Sequence, residues 1–262
     1  METALHNILE RVRAAAADAT PLRLCGGGSK DFHGLALEGT PLDLRPLRGI
    51  ISYEPTELVV TARAGTPLQE LQATLAQAGQ ALAFEPPHFA LGDKQPTVGG
   101  MVAAGWSGPA RASSGAVRDF VLGVEIINGR GELLRYGGQV MKNVAGYDVS
   151  RLMAGSWGTL GVITEVSLKV LPVAPAQATL VFAMNEAQAL EALNRWGGQP
   201  LPLNASCWAQ GQLWLRLCGA QAAVQAACQK LGGERLPDDQ AAALWHRLRE
   251  QQHPWFAARS DA

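Results

Sequence analysis

The chain has 262 residues, 47% hydrophobic and 17% charged, with a formal net charge of −1. That length builds one large domain or two smaller ones with proper cores, and the near-neutral balance gives no general attraction for nucleic acid or an anionic membrane. No apolar run reaches the length of a transmembrane segment, and Cys25, Cys207, Cys218 and Cys228 have neither C-x-x-C spacing nor a Cys/His cluster, so no metal site and no iron–sulfur cluster of the chain's own is expected.

The first stretch, METALHNILERVRAAAADAT, reads as an alanine-rich amphipathic helix with internal charges rather than a signal peptide. A cytoplasmic protein with reduced thiols is the expectation. Residues 21–25 form a short strand that runs into Gly26-Gly27-Gly28-Ser29-Lys30. Three consecutive glycines are costly in a plain turn. They offer a row of free N–H donors for phosphate oxygens, with the Ser29 hydroxyl and the Lys30 charge alongside. The loop fits neither the P-loop nor the Rossmann fingerprint.

Strands are expected at 42–44, 49–54 and 57–64. In the last, Leu58, Val60 and Ala62 alternate with Val59, Thr61 and Arg63. A helix follows, with Thr66 as N-cap, Pro67 at N1, Gln69 completing a capping box, and Gly79 at C′. Leu68, Leu71 and Leu75 form its buried stripe. Pro86 and Pro87 then impose an extended, surface-facing segment, in which His88 reads as a solvated loop histidine.

The second special loop runs Pro96-Thr97-Val98-Gly99-Gly100 into a small-residue helix at 101–104 and then Gly105. A helix start preceded by glycines suits an anion, and small residues at 103–105 let another backbone or a planar ring pack close. Arg111 or Arg118 can balance a diphosphate or simply be solvated. Residues 119–128 are a strong strand. Asn128-Gly129-Arg130-Gly131 is a hairpin turn, and 132–136 the return strand.

Gly146 to Pro172 holds the third loop. A short helix at 148–153, with Val149, Leu152 and Met153 on its apolar side, breaks at Gly155-Ser156-Trp157-Gly158-Thr159-Leu160-Gly161. A strand then puts Val162, Thr164, Val166, Leu168 and Val170 on one face. Alone, this is a tight turn as readily as a ligand loop. With the loops at 26–30 and 96–100 it reads as a third wall of one site.

The order and spacing of these three motifs resemble the FAD-binding domain of the vanillyl-alcohol oxidase / p-cresol methylhydroxylase family of FAD-linked oxidases. Lys142-Asn143-Val144-Ala145-Gly146-Tyr147-Asp148, Glu85-Pro86-Pro87-His88 and Val117-Arg118-Asp119-Phe120-Val121-Leu122-Gly123 narrow this to a resemblance to the E-subunit family of bacterial glycolate oxidases. The resemblance implies an α+β fold: a p-cresol methylhydroxylase-type FAD-binding domain of two α/β subdomains over 1–174, followed by a partial, truncated α+β cap over 175–262. It implies FAD as cofactor. Gly26, Gly27, Gly28, Ser29 and Lys30 would hold the diphosphate. Pro96, Thr97, Val98, Gly99 and Gly100, with Gly105 behind them, would line the diphosphate and the flavin edge. Gly155, Ser156, Gly161, Val162 and Ile163 would clamp the cofactor through the main chain.

It also implies a catalytic flavin subunit and an iron–sulfur subunit as partners, a small 2-hydroxy acid such as glycolate as substrate, and attachment to the inner membrane only through those partners. The main reading is a redox subunit that contributes to oxidising glycolate to glyoxylate, with electrons passed to the iron–sulfur subunit; the alternative is a non-catalytic scaffold subunit that stabilises the catalytic one. Trp157 stands where the family usually has Glu, which favours the scaffold. No catalytic base is identified. Strands at 178–182, 205–208 and 212–217 and helices at 186–196, 221–231 and 241–252 give the cap its strand-helix-strand-strand-helix order. In the first helix, Ala189, Leu190, Leu193 and Trp196 form the apolar side.

Overall fold

The computed structural model describes residues 2–34, 38–138 and 146–257; the Lys142-Asn143-Val144-Ala145 part of the sequence motif and residues 258–262 lie outside the described residues. In chain order the elements are α1 (Glu2–Ala17), β1 (Leu22–Cys25), β2 (Thr40–Asp43), β3 (Ile50–Glu54), β4 (Val59–Arg63), α2 (Leu68–Gln77), β5 (Gln80–Ala81), α3 (Val98–Ala104), α4 (Arg111–Ser114), α5 (Val117–Phe120), β6 (Val121–Ile127), β7 (Leu133–Gly137), α6 (Val149–Leu152), β8 (Val162–Lys169) and β9 (Leu171–Pro172). There follow β10 (Ala176–Ala183), α7 (Glu186–Gly197), β11 (Leu203–Ala209), β12 (Gln212–Gly219), α8 (Gln221–Leu231), β13 (Glu234–Arg235), α9 (Asp238–Arg249) and α10 (Pro254–Ala257). Two units emerge: Met1–Leu82 with His88–Trp106 and Ala116–Pro172, and Ala83–Pro87 with Ser107–Gly115 and Val173–Ala262.

The first unit is built on a sheet of order β3-β4-β8-β6-β7, antiparallel at every pairing. Every residue of β6 is buried, so this strand has no polar-out alternation. In β8 the expected face holds, with Val162, Thr164, Val166 and Leu168 at 0–4% exposure. One cross-strand row is charged: Arg63, Glu165, Glu125 and Arg135 lie in register across β4, β8, β6 and β7. Glu125 is buried. Its carboxylate accepts from Arg135 Nε (2.7 Å) and the Thr164 hydroxyl (2.9 Å), which satisfies it inside the sheet. A second, parallel pair, β1–β2, packs under α1 through Ile8, Val12, Leu42 and Leu47.

The second unit has a sheet of order β11-β12-β10-β13. The period-two rule divides β12: Leu213, Leu215 and Leu217 join the core formed with α7 and α8. Arg216 points the other way and lies over the Trp245 ring of α9, 4.8 Å from its centroid. The α+β class expected from the sequence is the class observed.

Several local expectations need correction. Thr66 does not cap α2. Its hydroxyl is buried and exchanges hydrogen bonds with Gly49, accepting from N–H (3.0 Å) and donating to C=O (3.1 Å), and Pro67 takes the cap position without a side-chain bond. Pro86 and Pro87 are buried, not surface-facing. The neighbouring Glu85 accepts from Arg216 Nη2 (2.7 Å) and the Ala110 N–H (2.9 Å), which ties segment 83–87 into the second unit. His88 is bonded to Gln72 at 2.8 Å rather than simply solvated. Leu152 and Leu190 are exposed, and Ala192 takes the buried place on α7. Gly99 and Gly100 lie inside the first turn of α3, not before it. The helix expected at 241–252 runs Asp238–Arg249.

Candidate functional site

The three glycine motifs come together in the first unit. They surround a cavity of about 450 Å³, within the range of small-molecule sites. The first wall is the turn after β1. Gly26, Gly27, Gly28, Ser29 and Lys30 all line the cavity, and Gly28 adopts φ 71°. Gly27 is fixed by packing: a Cβ there would lie 1.5 Å from the Gln95 carbonyl oxygen. The first loop is thus seated on the backbone that leads into the second. Lys30 Nζ donates to Ser29 Oγ (3.3 Å) and stands 5.7 Å from the Phe89 ring centroid.

The second wall is the start of α3. Thr97 is its N-cap, and its hydroxyl accepts from the Gly100 N–H (3.2 Å). Thr97, Gly99 and Gly100 line the cavity, as do Ala103 and Ala104 one turn on. The third wall is fastened to the end of that helix. Gly155 N–H donates to the Val102 carbonyl (3.0 Å) and Trp157 N–H to Ala103 (2.9 Å). Gly105 makes this approach possible, since a Cβ there would sit 2.8 Å from Gly155 N. Trp157, Gly158, Thr159, Gly161 and Ile163 reach the cavity.

Of the residues singled out from sequence, Pro96, Val98, Gly105, Gly155, Ser156 and Val162 do not line the cavity. They lie in the chain segments that hold the lining residues in place. Neither Arg111 nor Arg118 lines it. A different arginine does: Arg23 of β1, whose Nε is buried and has no hydrogen-bond partner among the described residues. Arg23 is flanked in β1 by Leu22 and Leu24, which pack against the α1 core and also border the cavity; its signal in the sequence is its place in the strand that runs directly into the glycines.

A buried guanidinium N–H without a partner is unfavourable unless a ligand supplies an acceptor. Together with the glycine-lined backbone and the buried Ser29 and Thr97, it fits a phosphate-bearing dinucleotide. The other titratable groups on the lining are Asp31, His33 and Glu38. Asp31 is 3.4 Å from Lys94 Nζ, and His33 is stacked on Trp157. Among the described residues, no three His, Cys, Asp or Glu side chains are grouped to hold a metal ion.

Residues 5–137 match the FAD binding domain family. The chain belongs to this family. FAD is its cofactor, and the p-cresol methylhydroxylase-type FAD-binding fold resembled by the motifs is its fold. The glycolate oxidase subunit GlcE of Escherichia coli (strain K12) is 50% identical over 250 residues, which cover 95% of this chain and 69% of that protein. The glycolate oxidase subunit GlcD of Bacillus subtilis (strain 168) is 32% identical over 158 residues, 60% of this chain and 32% of the relative. The D-lactate dehydrogenase of Anaerostipes hadrus is 33% identical over 156 residues and is spanned to 31% of its length. Among solved structures, an alkyldihydroxyacetonephosphate synthase superposes with a TM-score of 0.70 at 18% identity, over 95% of this chain and 54% of that one. That likeness concerns the fold alone. No helix among the described residues is long and apolar enough to cross a membrane.

Proposed function

We propose that this chain is the FAD-holding E-type subunit of a glycolate oxidase complex and that it serves there as a scaffold. It would keep the flavin fold and stabilise a catalytic flavin subunit, without oxidising substrate by itself. The observation that carries this reading is the 50% identity, over 95% of the chain, to a protein named as a glycolate oxidase subunit.

The residues offered to the cofactor are those of the cavity. The backbone of 26–30 and the cap of α3 would take the diphosphate, with Arg23 supplying charge and Gly161 and Ile163 closing the third side. The remaining sequence candidates, Pro96, Val98, Gly105, Gly155, Ser156 and Val162, would act as supports. FAD, when bound, supplies a two-electron acceptor for a hydride removed from carbon. Among the described residues, the lining carries Asp31, His33 and Glu38 beside its cations; the His33 ring is stacked on Trp157 and Asp31 lies 3.4 Å from Lys94 Nζ, and no general base is assigned among them. Trp157 occupies the place where the resembled family usually has a carboxylate.

The partners in this reading are a catalytic flavin subunit and an iron–sulfur subunit, and the substrate class of the complex is a small 2-hydroxy acid. A cytoplasmic location, or attachment to the inner membrane through partners only, goes with it. So does the division into an FAD-binding domain over 1–174 and a cap over 175–262. The second reading is direct oxidation of glycolate by this chain with electrons passed to the iron–sulfur partner, using the same cavity. Adding glycolate anaerobically to the FAD-loaded chain separates them. An unchanged flavin spectrum until the partner subunits are added supports the scaffold, and bleaching by glycolate alone supports direct oxidation.

A further inference from the structure

Trp157 is held in an unusual way. Its backbone is left-handed, at φ 52°, a conformation costly for a large side chain. The bond from its N–H to Ala103 C=O keeps it there. The result is an indole that is 42% exposed and lines the cavity.

The indole does not stand alone. The His33 imidazole is stacked on it, with centroids 4.8 Å apart and planes at 24°. Trp106 meets both edge-on, at 4.9 Å from His33 and 5.9 Å from Trp157. Phe89 backs Trp106 at 5.2 Å. Of these rings, His33 and Trp157 line the cavity, and Trp106 and Phe89 do not. A strained backbone that holds a buttressed aromatic pair open beside a ligand cavity is preorganised for contact with a ligand.

We infer that the His33–Trp157 pair is a stacking platform for a flat heteroaromatic ring of the bound dinucleotide. The inference rests on FAD occupying this cavity. Both ends of the dinucleotide, isoalloxazine and adenine, have the required π-face, and stacking on an indole is tolerant of ring identity. The platform gives Trp157 a binding role in place of the usual carboxylate.

The test uses the full chain and two variants. Trp157→Gly removes the ring at a position whose left-handed backbone glycine adopts freely, and Trp157→Phe keeps a ring. Melting temperatures of both variants control for folding. Each protein is titrated with FAD, FMN and ADP, by flavin fluorescence and by calorimetry. Trp157→Gly is expected to bind FAD about tenfold more weakly and to lose quenching of the bound flavin, and Trp157→Phe to stay within about threefold of wild type. Weakening confined to FMN places the isoalloxazine on the platform. Weakening confined to ADP places the adenine there. If Trp157→Gly binds FAD as tightly as wild type, with the same flavin emission, the platform is refuted. If wild type takes up no FAD at all, the cofactor reading itself has failed, a result separate from any difference between the variants.

Discussion

Gly27→Ala is the smallest change that reaches the architecture of the site. The added Cβ would lie 1.5 Å from the carbonyl oxygen of Gln95 and 2.7 Å from its carbonyl carbon. Both obstacles are backbone, so no side chain can rotate away. To regain ordinary van der Waals contact the two segments must separate by about 2 Å. Overpacking of this kind typically costs about 1–3 kcal/mol. The displacement falls between loop 26–30 and the segment leading to Thr97, two walls of the cavity, so the loss appears in ligand affinity as well as in stability. That range corresponds to roughly 5- to 150-fold in the FAD dissociation constant. The assay is titration of the purified chain with FAD, with melting curves recorded beside it. Gly129→Ala, where a Cβ meets no atom within 4 Å, is the neutral control. Wild-type affinity in Gly27→Ala would refute the claim that glycine is required there by contact with Gln95.

Other outcomes follow from the same geometry. Arg23→Leu should weaken FAD binding about tenfold or more, because a bound diphosphate would lose the buried donor at Arg23 Nε; unchanged affinity in titration would remove Arg23 from the site. Arg216→Ala should lower stability by about 3 kcal/mol, read from urea denaturation of the second unit's fluorescence, since it strips the partly exposed Glu85 of its cation and Trp245 of its cover. Burial, and next the charge of Glu125, raise the Glu165 carboxyl above its usual range. Its ionised form is therefore disfavoured in the fold, and that cost is present above the raised value and relieved as pH falls through it. Glu165→Gln should accordingly melt higher than wild type at about pH 8, with the gap closing toward about pH 4; a lower melting point at the alkaline end would contradict this. Thr97→Val should cost about 1 kcal/mol through loss of the α3 cap, measured by thermal melting.

Much of the fold was legible because local rules were strong. The alternation of 162–170, the 128–131 turn and the stripe of Leu68, Leu71 and Leu75 each answer to one periodicity, and each lies where that periodicity puts it. The failures share a cause in distant partners. Thr66 has the composition of a cap, but Gly49 offers its hydroxyl a buried donor and acceptor. Pro86 and Pro87 look like surface residues until Arg216, far along the chain, is seen to hold Glu85. At the site, the motifs gave the walls but not the reason for their glycines. Gly27 and Gly105 are there for backbone contacts with Gln95 and Gly155 that no spacing rule encodes. Arg111 and Arg118 look available as loop arginines, whereas the arginine that lines the cavity is Arg23, in the strand that leads into the first glycine loop.

In the proposed function, this chain holds FAD and leaves oxidation of the 2-hydroxy acid to its partners. The direct measurement is the visible absorption spectrum of the purified, FAD-reconstituted chain under anaerobic conditions, before and after glycolate. One bound flavin per chain, with no change in its spectrum on adding glycolate, is the expected result. Prompt bleaching by glycolate in the isolated chain, or a chain that retains no flavin, would contradict it.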